Sequence, residues 1–173
     1  MTTPPFAPPT TAEIDVVSAQ LGRSARGVVG IAARCVCGNP TVVATSPRLP
    51  DGSPFPTFYY LTHPAATAAM STLEATQVMP ELAALLVEDE TAAAAYQAAH
   101  EAYIADRTLF GEVTEIDGIS AGGMPTRVKC LHALAGHALA AGPGVNPIGD
   151  AALARSSWSP QRCECEKPGA ATA

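Results

Sequence analysis

Residues 27–45 read Gly-Val-Val-Gly-Ile-Ala-Ala-Arg-Cys-Val-Cys-Gly-Asn-Pro-Thr-Val-Val-Ala-Thr. Two runs of β-branched and small apolar residues flank Gly38-Asn39-Pro40, and these residue types favour a turn, so the stretch predicts a β-hairpin. Residues 57–62, Thr-Phe-Tyr-Tyr-Leu-Thr, have the same strand-forming composition. Together the three segments predict a small antiparallel meander.

Helical patterns surround these strands. Thr10 and Glu13 have the spacing of a capping box, and they precede an apolar repeat that ends at Gly22. Pro64 suits the first turn of a helix, because its fixed φ and missing N–H are tolerated there. Further helices are predicted over residues 65–76, 89–110 and 126–141. Short helical material is predicted between the first two of these, up to residue 87, and a final turn or two at 146–154. The predicted fold class is α+β, a three-stranded antiparallel sheet covered by several helices.

The length and composition suit a single globular domain. The chain has 173 residues, of which 47% are hydrophobic. Residues 1–10 are rich in proline and threonine and predict a flexible arm. Residues 11–155 form the predicted domain, and residues 156–173 are expected to be a disordered tail.

Charge and hydropathy exclude several partners. A formal net charge of −6 disfavours a nucleic-acid partner, since such proteins usually present a basic face. No segment has the length of apolar sequence that a membrane span needs, and the N-terminus lacks a secretory signal, so we expect a cytoplasmic protein. In that reducing compartment the five cysteines indicate ligands, reactive groups or buried small residues before disulfides.

The cysteines and the meander together predict a metal site. The first and third strands of an up-down-up meander run in the same direction, so residues that follow them lie at the same end of the sheet. Cys35 and Cys37 follow the first strand, and His63 follows the third. A helix carrying Cys130 across that end would complete a tetrahedral set for zinc, or alternatively for an iron–sulfur cluster.

The alternative is that these cysteines are buried small residues and that His63 only ends a strand. Cys163 and Cys165 repeat the Cys-x-Cys pattern, but they lie on the predicted tail. We therefore expect these two cysteines to lie outside the site.

A second constellation lies on the predicted long helix. Its members fall on one stripe of the helix and are Tyr96, His100, Tyr103, Arg107 and Phe110. This stripe predicts a polar pocket in which Arg107 holds a carboxylate or phosphate and His100 acts as an acid or base. The alternative is a solvated or interfacial edge, in which Arg107 pairs with Glu101, Asp106 or a distant carboxylate.

The segment before the predicted helix at residue 126 suggests an anion site. Gly122 and Gly123 precede that helix, and its N-terminal amides with Arg127 and Lys129 form a candidate seat for an anion. The glycine pair does not match a phosphate-binding or dinucleotide-binding fingerprint. On the helix itself, His137 is a spare ligand candidate.

Four separated motifs also carry a resemblance. Residues 34–38, 49–62, 99–103 and 122–132 resemble, in order, the uncharacterised bacterial family catalogued as domain of unknown function five hundred and one. The resemblance covers about Ala12 to Leu153 and implies no established activity. The resemblance implies that relatives often carry cysteine at the position of His63. Cysteine and histidine are both zinc ligands, so this exchange favours a metal site at this position. It also weakens the case for a cluster held by cysteines alone. Gene neighbours of the family imply a link to cell division or phosphate metabolism.

Two functional classes follow from the sequence. The first is a small metal-binding domain whose surface binds a protein partner. The second is an enzyme that acts on an anionic small molecule, with a metal or iron–sulfur centre beside His100 and Arg107. The sequence does not decide whether the protein is an enzyme.

Overall fold

The predicted hairpin forms the first two strands of the sheet. In the computed structural model, which describes residues 5–165, β1 (Val28–Arg34) pairs antiparallel with β2 (Pro40–Thr45). β2 in turn pairs antiparallel with β3 (Tyr59–Leu61), which gives the order β1-β2-β3. β2 is buried along its whole length, as a central strand should be. The prediction of an α+β fold with a three-stranded antiparallel sheet is confirmed.

Six helices cover the sheet in the described part of the chain. They are α1 (Thr11–Leu21), α2 (Pro64–Glu74), α3 (Val78–Glu88), α4 (Glu90–Thr108), α5 (Leu131–Ala141) and α6 (Pro147–Arg155). The Thr10/Glu13 capping box is present, and Gly22 ends α1 in the left-handed conformation. None of the described helices is long and apolar enough to cross a membrane.

The start of α5 differs from the prediction. The helix begins at Leu131 instead of residue 126, because the preceding segment folds into turns. The amides of Lys129 and Cys130 both donate to the carbonyl of Gly122, at 2.8 and 3.3 Å, and the amide of Arg127 donates to Gly123. These donors are therefore satisfied within the turn before the helix starts.

The hydroxyl of Tyr103 joins the longest helix to the sheet. This tyrosine, on α4, is fully buried, and its oxygen accepts the backbone N–H groups of Phe58 and Tyr59 at 2.6 and 3.1 Å. The hydroxyl of Tyr59 donates to Asp106 on the same helix, at 2.7 Å. The end of the sheet at β3 is thus fixed to α4 by hydrogen bonds as well as by packing.

His137 lies in the centre of this core. Its ring stacks on Tyr59 with centroids 5.5 Å apart and stands perpendicular to Tyr103 at 5.1 Å. The side-chain amide of Asn146 donates to Nδ1 at 3.1 Å. Because the imidazole is completely buried, the pKa of His137 falls to about 4. This histidine is therefore a neutral core residue at physiological pH.

Both ends of the described chain pack on the domain. Phe6 stacks on Phe110 with ring centroids 6.2 Å apart, although it lies in the segment that we expected to be a flexible arm. Trp158 is 4% exposed and belongs to the hydrophobic core, although we expected it to lie in a disordered tail. The expectations for residues 1–4 and 166–173 fall outside the described residues.

We predict that burial of His137 makes the stability of the protein depend on pH. The folded state keeps the imidazole neutral, whereas the unfolded chain binds a proton below its ordinary pKa of about 6.5. The free energy of unfolding should therefore fall as the pH drops from about 6.5 to about 4, by up to about 3 kcal/mol from this group.

Urea unfolding over this pH range tests the prediction with two variants. His137→Gln should lose less stability towards acid than the wild type, since it removes the buried imidazole. His100→Gln removes a different histidine and should keep the wild-type slope. Equal slopes for His137→Gln and the wild type would contradict the prediction.

Candidate metal centre

The turn between β1 and β2 presents the first two thiols. The amide of Cys35 donates to the carbonyl of Asn39 at 2.8 Å, and the amide of Gly38 donates to the carbonyl of Cys35 at 2.8 Å. Gly38 has φ +93°, in a region that side chains disfavour. The glycine therefore allows the tight turn that follows Cys35 and Cys37.

The segment after α6 brings in a second pair of thiols. Trp158 is buried with its ring centroid 5.5 Å from that of His63. The amide of Val36, between the first two thiols, donates to the carbonyl of Pro160 at 3.1 Å. These contacts hold the returning chain beside the hairpin turn, where Cys163 and Cys165 lie.

Four sulfur atoms meet at this point. The Sγ atoms of Cys35, Cys37, Cys163 and Cys165 all lie within 4.8 Å of one another. The Sγ atoms of Cys37 and Cys165 are 3.5 Å apart, far beyond the roughly 2.05 Å of a disulfide. Two thiolates bound to one tetrahedral zinc at about 2.3 Å would be about 3.8 Å apart. The cluster therefore has the composition and the dimensions to hold a metal ion.

The thiols differ in their electrostatic environment. Burial raises the pKa of Cys165 to about 12 and also raises the pKa of Cys35. The backbone N–H of Asn39 lowers the pKa of Cys37 to about 7. The surroundings therefore favour the neutral thiol at buried Cys35 and at half-buried Cys165, and a bound cation would reverse that preference.

His63 lies directly against the cluster. It is buried, and it is the N-cap residue of α2, where its Nδ1 accepts the N–H of Ala66 at 3.4 Å. Burial lowers the pKa of His63, so the ring is neutral and its proton lies on Nε2. Nε2 is 3.2 Å from Sγ of Cys165 and donates to that sulfur. His63 thus contacts the cluster through Cys165, and its role as a metal ligand stays a prediction.

The expected combination of ligands is not the one that comes together. The prediction grouped Cys130 with Cys35, Cys37 and His63, and it placed Cys163 and Cys165 outside. In the structure Cys130 belongs to a separate group with Glu74 and His132, whose side-chain atoms also lie within 4.8 Å of one another. The difference follows from the turns before α5, which move Cys130 to the first residue before that helix.

Two signals in the sequence could have identified Cys163 and Cys165. The Cys-x-Cys pattern occurs twice, and two such pairs supply the four ligands of a tetrahedral ion. Trp158 is the single tryptophan of the chain and lies five residues before Cys163, where it can anchor the segment to a core.

Arg107 and His100, the predicted catalytic pair, both make hydrogen-bonding contacts within the fold. Arg107 is 4% exposed, and its guanidinium donates to the carbonyls of Pro56, Ile116 and Ile119 at 2.6 to 3.1 Å. The buried charge is thus satisfied by backbone oxygens and not by the carboxylate that either interpretation expected. Nδ1 of His100 lies 2.8 Å from the hydroxyl of Ser120. A catalytic role for His100 and Arg107 stays a prediction that these contacts do not require.

The predicted anion site depended on a helix N-terminus that lies elsewhere. Gly122, Gly123, Arg127 and Lys129 all precede α5, and the amides of Arg127 and Lys129 bond to the two glycine carbonyls. Gly123 also approaches the backbone closely, since a Cβ there would lie 2.6 Å from the carbonyl oxygen of Arg127. Anion binding at these four residues stays a prediction, without the helix amides on which it rested.

Comparison with known proteins gives a family and no closer relative. Neither the curated proteins nor the solved structures contained a match to this chain. A family model described as "Protein of unknown function (DUF501)" matches residues 31–154, which run from the second half of β1 to most of α6. Cys35, Cys37 and His63 lie inside the matched residues, whereas Cys163 and Cys165 follow them. The chain therefore belongs to the DUF501 family of proteins of unknown function.

Proposed function

We propose that this protein is a zinc-binding domain in which Cys35, Cys37, Cys163 and Cys165 hold one structural ion. The observation that supports this most directly is the approach of four sulfur atoms to within 4.8 Å of one another. The two Cys-x-Cys pairs come from segments 128 residues apart. Unpaired thiols from such distant segments have little reason to converge unless an ion joins them.

The dimensions of the cluster favour a single ion over an iron–sulfur cluster. In a polynuclear cluster each thiolate binds a different iron atom or shares one with a partner, which spreads the sulfur atoms more widely than one ion does. The 3.5 Å between the sulfurs of Cys37 and Cys165 is close to the tetrahedral edge expected for one zinc. Iron–sulfur binding is therefore the second candidate.

Four protein ligands indicate a structural site and not a catalytic one. Catalytic zinc usually keeps one coordination position for water or substrate, whereas a set of four thiolates closes the shell. His63 would act on the ion through its hydrogen bond to Cys165, which fixes that thiolate and draws charge from it. The ion would then fasten the chain after α6 to the hairpin turn.

The wider role that we propose is that of a protein-binding module. A closed metal shell supplies stability to a surface and offers no position for chemistry. Val36, which lies between Cys35 and Cys37, is 65% exposed. The turn between β1 and β2 therefore presents an apolar side chain to solvent. The link to cell division or phosphate metabolism that the family resemblance implies would enter through such a partner.

We predict that the protein contains about one zinc ion per chain and that the second Cys-x-Cys is required for it. A Cys163→Ser/Cys165→Ser variant removes two of the four thiolates and should lose the metal. The matched variant Cys130→Ser removes a thiol outside the cluster and should keep it. Elemental analysis and absorption spectra of protein purified without oxygen provide the measurement.

Each alternative set of ligands gives a different result in that experiment. Loss of zinc in Cys130→Ser but not in Cys163→Ser/Cys165→Ser would support the ligand set with Cys130. Iron and sulfide with a brown chromophore would support a cluster. Absence of metal from all three proteins would contradict the proposal.

We also predict that metal removal releases Trp158 from its buried position. The metal would hold the segment that follows Trp158, and this residue is the only tryptophan, so its emission reports on that segment alone. Chelation should shift the emission to longer wavelength as the indole meets water. An unchanged spectrum, with metal loss verified by elemental analysis, would show that the ion does not anchor the segment.

A further inference from the structure

The fifth cysteine, Cys130, lies outside the four-thiol cluster, at the junction of α2 and α5. Glu74 is the last residue of α2, Cys130 is the N-cap of α5, and His132 lies in the first turn of α5. Their side-chain atoms lie within 4.8 Å of one another. None of these residues belongs to the proposed zinc site, so the two sites share no side chain.

The carboxylate of Glu74 holds the first turn of α5. Its Oε1 accepts the amide of Leu131 at 2.7 Å and lies 3.1 Å from Nδ1 of His132. The other ring nitrogen, Nε2, lies 3.2 Å from the hydroxyl of Ser71 on α2. The imidazole is therefore held at both nitrogens by oxygen atoms, beside the sulfur of Cys130.

This arrangement favours a charged pair. Contact with His132 lowers the pKa of the Cys130 thiol. Contact with the Cys130 thiol, together with Glu74, raises the pKa of His132 to about 9. A thiolate next to an imidazolium at a helix N-terminus is the common environment of a nucleophilic cysteine.

The side-chain atoms of Glu74, Cys130 and His132 are close enough to hold a metal ion. The contacts of His132 offer an arrangement without one, because Nδ1 faces the carboxylate of Glu74 and Nε2 faces Ser71. An ion pair with the thiolate needs no ligand from outside the chain.

A groove of about 810 Å³ leads to this thiol. It is lined by Cys130 and His132, by the amide side chain of Gln20, and by apolar and hydroxyl side chains from α1, β3, α2 and the turns before α5. Aspartate, glutamate, lysine and arginine are absent from the described residues that line it, and His132 is its one basic group. Such a lining suits an uncharged, mainly apolar ligand and not the anion expected from sequence.

We propose that Cys130 is a nucleophile for an uncharged carbon electrophile bound in this groove, with His132 stabilising the thiolate and Glu74 positioning His132. The sulfur supplies the electron pair of a new S–C bond, and the leaving group departs with the electron pair of the bond that breaks. The proton on His132 passes to the leaving group when that group is basic. The step needs no metal and no oxidant.

Alkylation by iodoacetamide tests the nucleophile on the full chain with its metal in place. In this reaction the S–C bond forms and iodide leaves. The rate at Cys130 is followed by mass spectrometry of its peptide from pH 5 to 9, and the same cysteine in the urea-unfolded chain is the reference. Each unit by which the thiol pKa falls gives about ten times more thiolate at pH 6.5, but the thiolate becomes a weaker nucleophile. The net increase in the alkylation rate is therefore about threefold per unit.

We expect Cys130 to react faster in the folded protein than in the unfolded chain at pH 6.5, by about threefold for each unit by which the thiol pKa is lowered. His132→Gln should reverse this order and move the midpoint of the pH profile upward. Glu74→Gln should move the midpoint in the same direction by less. His100→Gln, a histidine outside the groove, should match the wild type, and circular dichroism with Trp158 emission verifies that each variant is folded.

Three results would overturn the proposal. The first is a folded protein that reacts more slowly at Cys130 than the unfolded chain across the pH range. The second is a pH profile that folded His132→Gln leaves unchanged. The third is a thiol that reacts only after a chelator removes a metal from the Glu74, Cys130 and His132 group.

The ligand class is tested with a larger neutral reagent. The ratio of the rates for N-phenyliodoacetamide and iodoacetamide is measured for the folded protein and for the unfolded chain. A higher ratio in the folded protein supports binding of an apolar group in the groove. An equal or lower ratio would overturn the assignment of the groove to such ligands.

Discussion

The hydroxyl of Tyr103 is the contact on which the arrangement of both thiol sites depends. It accepts two buried amides at the entry to β3, and leaving such groups unsatisfied would cost about 1 to 3 kcal/mol each. Burial raises the pKa of this hydroxyl, so the group stays protonated and uncharged. A strand of only three residues has few ladder hydrogen bonds of its own, and the helix supplies what the strand lacks. This connection fixes the start of β3, and the strand leads directly to His63 and α2.

Local pattern determined much of the fold, and the sequence could therefore predict it. The hairpin around Gly38 and the capping box at Thr10 depend on residues close in the chain, and both are present. The antiparallel order of the three strands also followed from the sequence pattern, which needs no knowledge of side-chain packing. These parts of the prediction required only short-range rules and one topological step.

The position of Cys130 and the course of the chain after α6 required long-range information. The first depended on where α5 begins, and the turns that delay its start use hydrogen bonds to Gly122 and Gly123 that no periodic pattern encodes. The second depended on the burial of Trp158, whose surroundings come from distant segments. A tail rich in polar residues and proline gives no local sign that one aromatic side chain will fill a space in the core. The sequence thus identified candidate ligand types, whereas the structure brings Cys35 and Cys37 together with Cys163 and Cys165 instead of Cys130.

The two groups of cysteines differ in what satisfies the charge of a thiolate. In the cluster of Cys35, Cys37, Cys163 and Cys165, four like groups meet, and a bound cation would stabilise their thiolate forms. At Cys130 the neighbouring cation would be His132, which a carboxylate and a hydroxyl hold in place. The proposed zinc site would consume the reactivity of its thiols, whereas the proposed ion pair would preserve it at the wall of a groove.

Helix α2 both separates and connects these two environments. Its N-cap is His63, which contacts the cluster, and its last residue is Glu74, which contacts His132. Its 11 residues give a length of about 16 Å, so an ion or a disulfide cannot be shared between the two sites while the helix is formed. The same rigidity links their geometry, because His63 at one end contacts Cys165 and Glu74 at the other end contacts His132. A structural ion at the first end would therefore help to hold the carboxylate at the other end, where the orientation of one imidazole depends on it.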